Sequence, residues 1–370
     1  MNQINTTGLL IKNHEIQSYF DYFDPRFPRW LTIVLLFIGI FGNVLSLIVF
    51  CHESMKKNSV FKYLAYLSIV DLFVCVLGLG DMIAISYLKF IIRNYSIVFC
   101  RLHTFFLYSF THLSSFILSA VSIDRAISLN CFTFAKTYCK PAMARKIFLL
   151  ISLLTIVVNF HSLIFLGNYE ADDTVNNNIT NYNITNKSAG PTRFSCSSKL
   201  GSIYDKFLIP YFQYIDMLSY VIVPFFIMMV CTLFIVKVLI TTNKKNKHVK
   251  GITNKTIRAP SEEPSIIINN NQQLRAEKGT LLRNKKRTSR NKNITWTLIS
   301  LNTLFFCLLS PLLFVQAFMS HYMDKNKMLT NIIYLLAYSN HCFNFVFYGL
   351  SSPPYRKAFK KIFGCDKSND

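Results

Sequence analysis

The chain has 370 residues, of which 52% are hydrophobic and only 16% charged. Its 34 phenylalanines are more than a soluble core of this length needs. The net charge of +22 would suggest a nucleic-acid surface, but the basic residues fall in alternate connections between apolar stretches. That pattern marks sidedness in a membrane, and no nucleic-acid partner is expected.

Residues 1–29 read as a polar N-terminal segment, with no basic and apolar regions of a cleavable signal peptide. Seven apolar stretches follow, over Trp30–Phe50, Tyr63–Met82, Phe99–Ile127, Ile147–Leu166, Pro210–Ile240, Ile294–Phe318 and Leu329–Leu350. Each is long enough to cross ~30 Å of hydrocarbon, which takes about 20 helical residues. Backbone polar groups in lipid must be satisfied within the segment, so these are helices; the alternation of barrel strands is absent. The fold predicted is an all-α membrane protein, a seven-transmembrane helix bundle over 30–350. A polar loop occupies 168–206. A basic segment, largely without order, occupies 241–293, and its ends can extend the flanking helices. Over 351–370, Tyr355, Phe359, Ile362 and Phe363 share one face and cations the other, which predicts a short amphipathic eighth helix at the membrane surface. Cys365 behind it is a candidate for palmitoylation.

Lys and Arg gather after the first, third, fifth and seventh stretches. By the positive-inside rule the N-terminus is extracellular and the C-terminus cytoplasmic. Sequons at Asn5, Asn94, Asn178, Asn183 and Asn186 fall on the outer side, the last three clustered in one loop. Of ten cysteines, this orientation leaves only Cys100 and Cys196 outside. Such a pair reads as a disulfide pinning the long loop over the bundle's mouth, with two free thiols as the other reading.

Ionisable and amide residues inside spans are costly and mark function. Asn43, Asp71, Ser114, Asn340 and Asn344 could line a polar chamber for waters or a sodium ion near Asp71, the one cofactor considered. Helix-to-helix hydrogen bonding without an ion explains them equally well. Asp124 and Arg125 at the inner end of span three can pair, or Arg125 can release to a partner. Pro224 and Pro311 each remove a backbone hydrogen bond and are either hinges or static kinks. Near the outer ends, Asp81, Thr104, Tyr108, Asp216, Gln316 and Tyr334 are candidates for a ligand cavity, with Asp81 and Asp216 as counter-ions for a cationic group. Each could equally be a wet helix end.

Taken in order, these marks resemble those of the rhodopsin-like (class A) G-protein-coupled receptors. Gly42-Asn43-Val44 resembles the family's first-span motif, and Leu67 to Asp71 its LxxxD. Cys100 and Cys196 match its outer disulfide, and Asp124-Arg125 its DRY. Pro224, the segment Phe305 to Pro311 and the segment Asn340 to Tyr348 match spans five to seven. The resemblance implies an extracellular ligand, coupling to a heterotrimeric G protein through Asp124 and Arg125, and an activation hinge at Pro224, Phe305, Pro311 and Tyr348. It also implies arrestin and membrane lipid as partners at the plasma membrane. Ala126 replaces the Tyr of DRY, Leu309 stands where a Trp is usual, Phe345 replaces the Pro of NPxxY, and Thr232 stands where span five often has Tyr. The NFxxY form resembles invertebrate FMRFamide-like neuropeptide receptors. Leu107 at the position of the amine receptors' Asp, and the lack of Lys in span seven, point from amines and retinal toward a peptide.

An enzyme is not expected, since His103, His112 and His161 lack metalloprotease spacing. A transporter or channel would show repeats and paired broken helices, which are absent. A receptor-like protein with altered or constitutive coupling is the alternative raised by Ala126, Leu309 and Phe345.

Overall fold

The computed structural model describes residues 24, 26–171, 192–256, 294–318 and 326–364. Asn5, Asn178, Asn183, Asn186 and Cys365 lie outside the described residues, as does most of the basic segment 241–293.

Among the described residues, six helices are long and apolar enough to cross a membrane: Trp30–Cys51, Ser59–Leu88, Ile97–Asn130, Pro141–Phe165, Gln213–Thr241 and Ile294–Phe318. They are spans one to six. Span seven is Lys327–Cys342 continued by Asn344–Ser351, with a break at Phe343. Residues 327–351 cover roughly 37 Å at ~1.5 Å per residue, ample for a crossing. Spans one, two, three and seven overrun their apolar stretches. Span two starts at Ser59, where Asn58 accepts from the Val60 N–H at 3.0 Å, a capping contact that hydropathy does not register. Span five continues as helix to Thr256, into the basic segment.

Two spans are widened to π geometry, Cys75–Leu79 and Ala84–Leu88 in span two, Leu218–Ile222 in span five. The last has a plain cause. Pro224 has no N–H to give Tyr220, and the turn before it loosens.

The packing is that of a bundle in lipid. Phe37, Phe41, Leu149, Leu153 and Val157 face outward, whereas Asn43, Ser68, Asp71, Ser114, Ser119, Ser122 and Asn159 are buried. Lipid chains solvate apolar side chains as well as a protein core does, so helices meet through small and hydrogen-bonding groups. Gly42 is one such point. A Cβ there would sit 2.1 Å from the Phe345 ring of span seven.

Some short elements were absent from the sequence reading. A short helix, Phe132–Tyr138, joins spans three and four. Within the polar loop, β1 (Asn168–Ala171) pairs antiparallel with β2 (Thr192–Ser195), Tyr169 opposite Phe194. The Cys100–Cys196 disulfide ties the end of β2 to span three. Asn94 Oδ1 accepts from the Cys196 N–H at 3.0 Å, so this sequon asparagine is engaged in the loop anchor. The eighth helix, Pro353–Ile362, packs Tyr355 against Phe50 and Tyr348, and Arg356 donates to the carbonyls of Gly349 and Leu350 at the end of span seven.

Candidate functional site

At the disulfide end of the bundle a cavity of about 200 Å³ opens between spans two, three, five, six and seven. That is below the ~300–1,000 Å³ usual for ligand pockets, room for one end group of a ligand rather than a long chain. Asp81, Tyr108, Asp216, Gln316 and Tyr334 line it, with Arg93, Leu107, Tyr220, Asn331 and Tyr338. Thr104 does not line it; it is buried, and its hydroxyl has no partner among the described residues. Its side chain turns into the helix packing, a choice of face that an isolated position in a sequence does not fix.

Both acids already have partners. Asp81 Oδ2 lies 3.2 Å from the Arg93 guanidinium, while its Oδ1 is buried without a hydrogen bond among the described residues. Asp216 Oδ1 lies 2.8 Å from His112 Nε2. Asn159 Nδ2 donates to His112 Nδ1 at 3.0 Å, which leaves Nε2 as the donor to Asp216. Asp81 and Asp216 are therefore not bare counter-ions; an incoming cation must share or displace a partner. Asn331, 1% exposed, has no hydrogen bond to either amide atom among the described residues. In the loop before span five, Asp205 is held below the ordinary carboxylate range by the Ser198 hydroxyl and the Gly201 N–H, and its own N–H is capped by the Ser202 hydroxyl at the start of the short helix Ile203–Lys206.

Below the cavity lies a polar centre. Asp71 is fully buried. Its Oδ1 receives Ser114 Oγ at 2.6 Å and His341 Nδ1 at 2.7 Å, and its Oδ2 receives Asn344 Nδ2 at 2.7 Å. Asn43 Nδ2 donates to the carbonyls of Gly39 and His341 at 2.9 and 3.0 Å. Asn340 is buried, but neither amide atom has a hydrogen bond among the described residues, so it does not join the group on Asp71. The residues present do not fit a sodium ion. A hard cation needs oxygen lone pairs, and the carboxylate here is faced by an imidazole nitrogen, an amide NH₂ and a hydroxyl proton.

At the opposite, basic end, Arg125 is folded onto Asp124 at 3.2 Å, and Ser59 Oγ donates to the same carboxylate oxygen at 3.0 Å. Both side chains are buried. Burial, and then Asp124, push the Cys139 thiol to about 11, so it remains a donor, 3.3 Å from the Asp124 carbonyl. One turn away, Asn302 Nδ2 donates to Ser122 Oγ at 3.2 Å and Thr232 Oγ1 at 3.0 Å, joining spans three, five and six. Phe305 and Leu309 are fully buried on the same span, and Tyr348 packs edge-on to Phe50 with ring centroids 5.0 Å apart. Span six runs as helix through Pro311.

A family model described as 7 transmembrane receptor (rhodopsin family) matches residues 42–348. The chain belongs to this family. It is a multi-pass receptor of the plasma membrane, not an enzyme. The receptor is similar to the octopressin receptor of Octopus vulgaris, 25% identical over 167 residues that make up 43% of this chain and 39% of that one. It is also similar to the thyrotropin-releasing hormone receptor of Gallus gallus, 25% identical over 379 aligned positions covering 99% of this chain and 85% of that one. The first match thus spans well under half of its relative's length.

Sequence reasoning missed three residues of the receptor's interior. His341 and Asn302 are polar side chains within apolar stretches, and that signal alone would have flagged them. Tyr220 donates or accepts across the bundle to His341 Nε2 at 3.2 Å, a contact no local pattern reveals.

Proposed function

We propose that this receptor binds a peptide at the disulfide end of the bundle and activates a heterotrimeric G protein at the basic end, with the N-terminus extracellular and the C-terminus cytoplasmic. The cavity carries the reading. It is small, it presents acid, guanidinium, amide and phenol groups together, and a disulfide ties the loop before span five to span three, one of the helices that line it. Such a site takes one polar end of a ligand and leaves the rest to the loops. Leu107 in its wall offers no carboxylate to an amine. Relatives named for octopressin and for thyrotropin-releasing hormone support a secreted messenger of this kind.

The ligand shifts the equilibrium between two bundle arrangements by its differential affinity for them. Release of Arg125 from Asp124 and an outward swing of span six about Pro311 open the cleft a G protein enters. Arrestin uses the same cleft, and the eighth helix and basic segment hold the inner face to anionic lipid. The narrower likeness to FMRFamide-type receptors rests on Phe345 and stays a proposal about ligand class.

The test is a peptide-library screen in cells carrying a promiscuous G-protein reporter. A peptide agonist should lose at least tenfold in potency on Asp216→Asn or Asp81→Asn, since a charge-assisted contact is worth about 1.5–3 kcal/mol. Unchanged potency removes the acids from the binding site. Silence to every peptide, with high basal signalling, would favour constitutive coupling instead.

A further inference from the structure

The polar centre contains one group that neither a membrane bundle nor an ion site requires. His341 is 1% exposed, in mid-span, and three side chains face its ring. Nδ1 is 2.7 Å from Asp71 Oδ1 and 3.3 Å from Ser114 Oγ, while Nε2 is 3.2 Å from the Tyr220 hydroxyl. The Tyr220 and His341 rings lie nearly parallel, 8° apart in plane with centroids 6.4 Å apart. In the neutral ring, Nδ1–H donates to the carboxylate and Nε2 accepts from the phenol. A buried carboxylate without a counter-group would be costly, and here Ser114, His341 and Asn344 supply that group from the chain itself.

We propose that the His341 imidazole replaces a bound sodium ion as the partner of Asp71, and that Tyr220 carries this internal contact to the wall of the ligand cavity. The nitrogen stands within hydrogen-bond distance of the carboxylate, where an ion would need the oxygen's lone pairs. Asn344 takes the second carboxylate oxygen, and Ser114 spends its proton on the first. Tyr220 belongs both to this chain of contacts and to the cavity lining, so the cavity and the Phe343 break in span seven are joined by Tyr220, His341, Asp71 and Asn344. A protein with a mobile ion at Asp71 responds to salt composition; one with a tethered imidazole does not.

The full-length receptor, purified in detergent, is to be unfolded by heat in sodium chloride and in choline chloride at equal ionic strength. The wild type should melt at the same temperature in both. His341→Ser, which opens the carboxylate, should melt lower in choline and show a saturable, sodium-specific rise that Asp71→Asn in the same background abolishes. A sodium-specific rise in the wild type overturns the proposal, as does a folded His341→Ser protein indifferent to sodium. Should that variant not fold, the wild type decides alone: equal melting upholds the replacement and a sodium-specific rise refutes it. The readout needs neither ligand nor G protein, so its outcome is separable from that of the receptor assay.

Discussion

Asn302 is a single amide on span six that reaches two hydroxyls, Ser122 on span three and Thr232 on span five. Thr232 has too short a side chain to fill the place of the tyrosine often found there, and the amide of Asn302 closes the distance instead. The contact holds the inner half of span six against its neighbours. Each neutral hydrogen bond contributes about 1 kcal/mol net, and hydrogen bonds between membrane helices average roughly 0.6 kcal/mol. Losing two should move the inactive–active ratio by about tenfold. Asn302→Ala is therefore expected to raise agonist-independent nucleotide exchange in membranes several-fold. Arg125 and Asp124 would remain paired, so the rise should stay below the full agonist response. Basal exchange equal to wild type would show that span six is held by apolar packing alone.

Between elements, spans one and seven approach closely at Gly42 and Phe345, as spans two and seven do at Gly78 and Tyr338. A Cβ on Gly42 would meet three carbons of the Phe345 ring at 2.1 to 2.7 Å. The backbone of Phe345 is helical, and the break in span seven falls at Phe343, so the bend survives where the family has a proline at position 345. Gly42→Ala should destabilise the fold by about 1–3 kcal/mol, the usual cost of overpacking. Surface expression and melting temperature should both fall, and Phe345→Ala in the same chain should restore most of the loss. If Gly42→Ala alone is neutral, the two spans stand further apart than described. The sequence showed where helices cross lipid, because some twenty apolar residues have no other solution there. It did not show where they end, because ends are set by caps such as Asn58 and by polar residues beyond the membrane. Nor did it show β1 and β2, whose polar residues pair through backbone and carry no hydrophobic period. Asp71, Ser114 and Asn344 were read as a group and do meet on one carboxylate. Asn340 stands aside from it, and His341, one residue along, takes its place. A shift of one residue turns a helical side chain by about 100°, and only packing decides which neighbour faces the centre.

For the whole molecule, the decisive quantity is the asymmetry of charge between the two ends of the bundle. Lys56 and Lys57 follow span one and Lys62 opens span two, Lys136 and Lys140 lie between spans three and four with Arg145 and Lys146 in the first turns of span four, and Arg356, Lys357, Lys360 and Lys361 belong to the eighth helix. All of these fall at the end opposite the Cys100–Cys196 bridge, since odd-numbered spans run one way and even-numbered spans the other. The net charge of +22 is thus a statement about sides rather than about a polyanionic ligand. Cations flanking spans resist translocation, and a disulfide persists on the oxidising side, so the two ends argue independently for the orientation proposed above. An epitope tag at the N-terminus should be labelled by antibody on intact cells, and one at the C-terminus only after permeabilisation. Endoglycosidase should lower the apparent mass, and replacing Asn178, Asn183 and Asn186 by Gln together should remove most of that change. Labelling of the C-terminal tag on intact cells would reverse the bundle. It would place the cavity, with its mixed acids and amides, in the cytoplasm and the buried Arg125 outside, and no extracellular messenger could then reach Asp81 or Asp216.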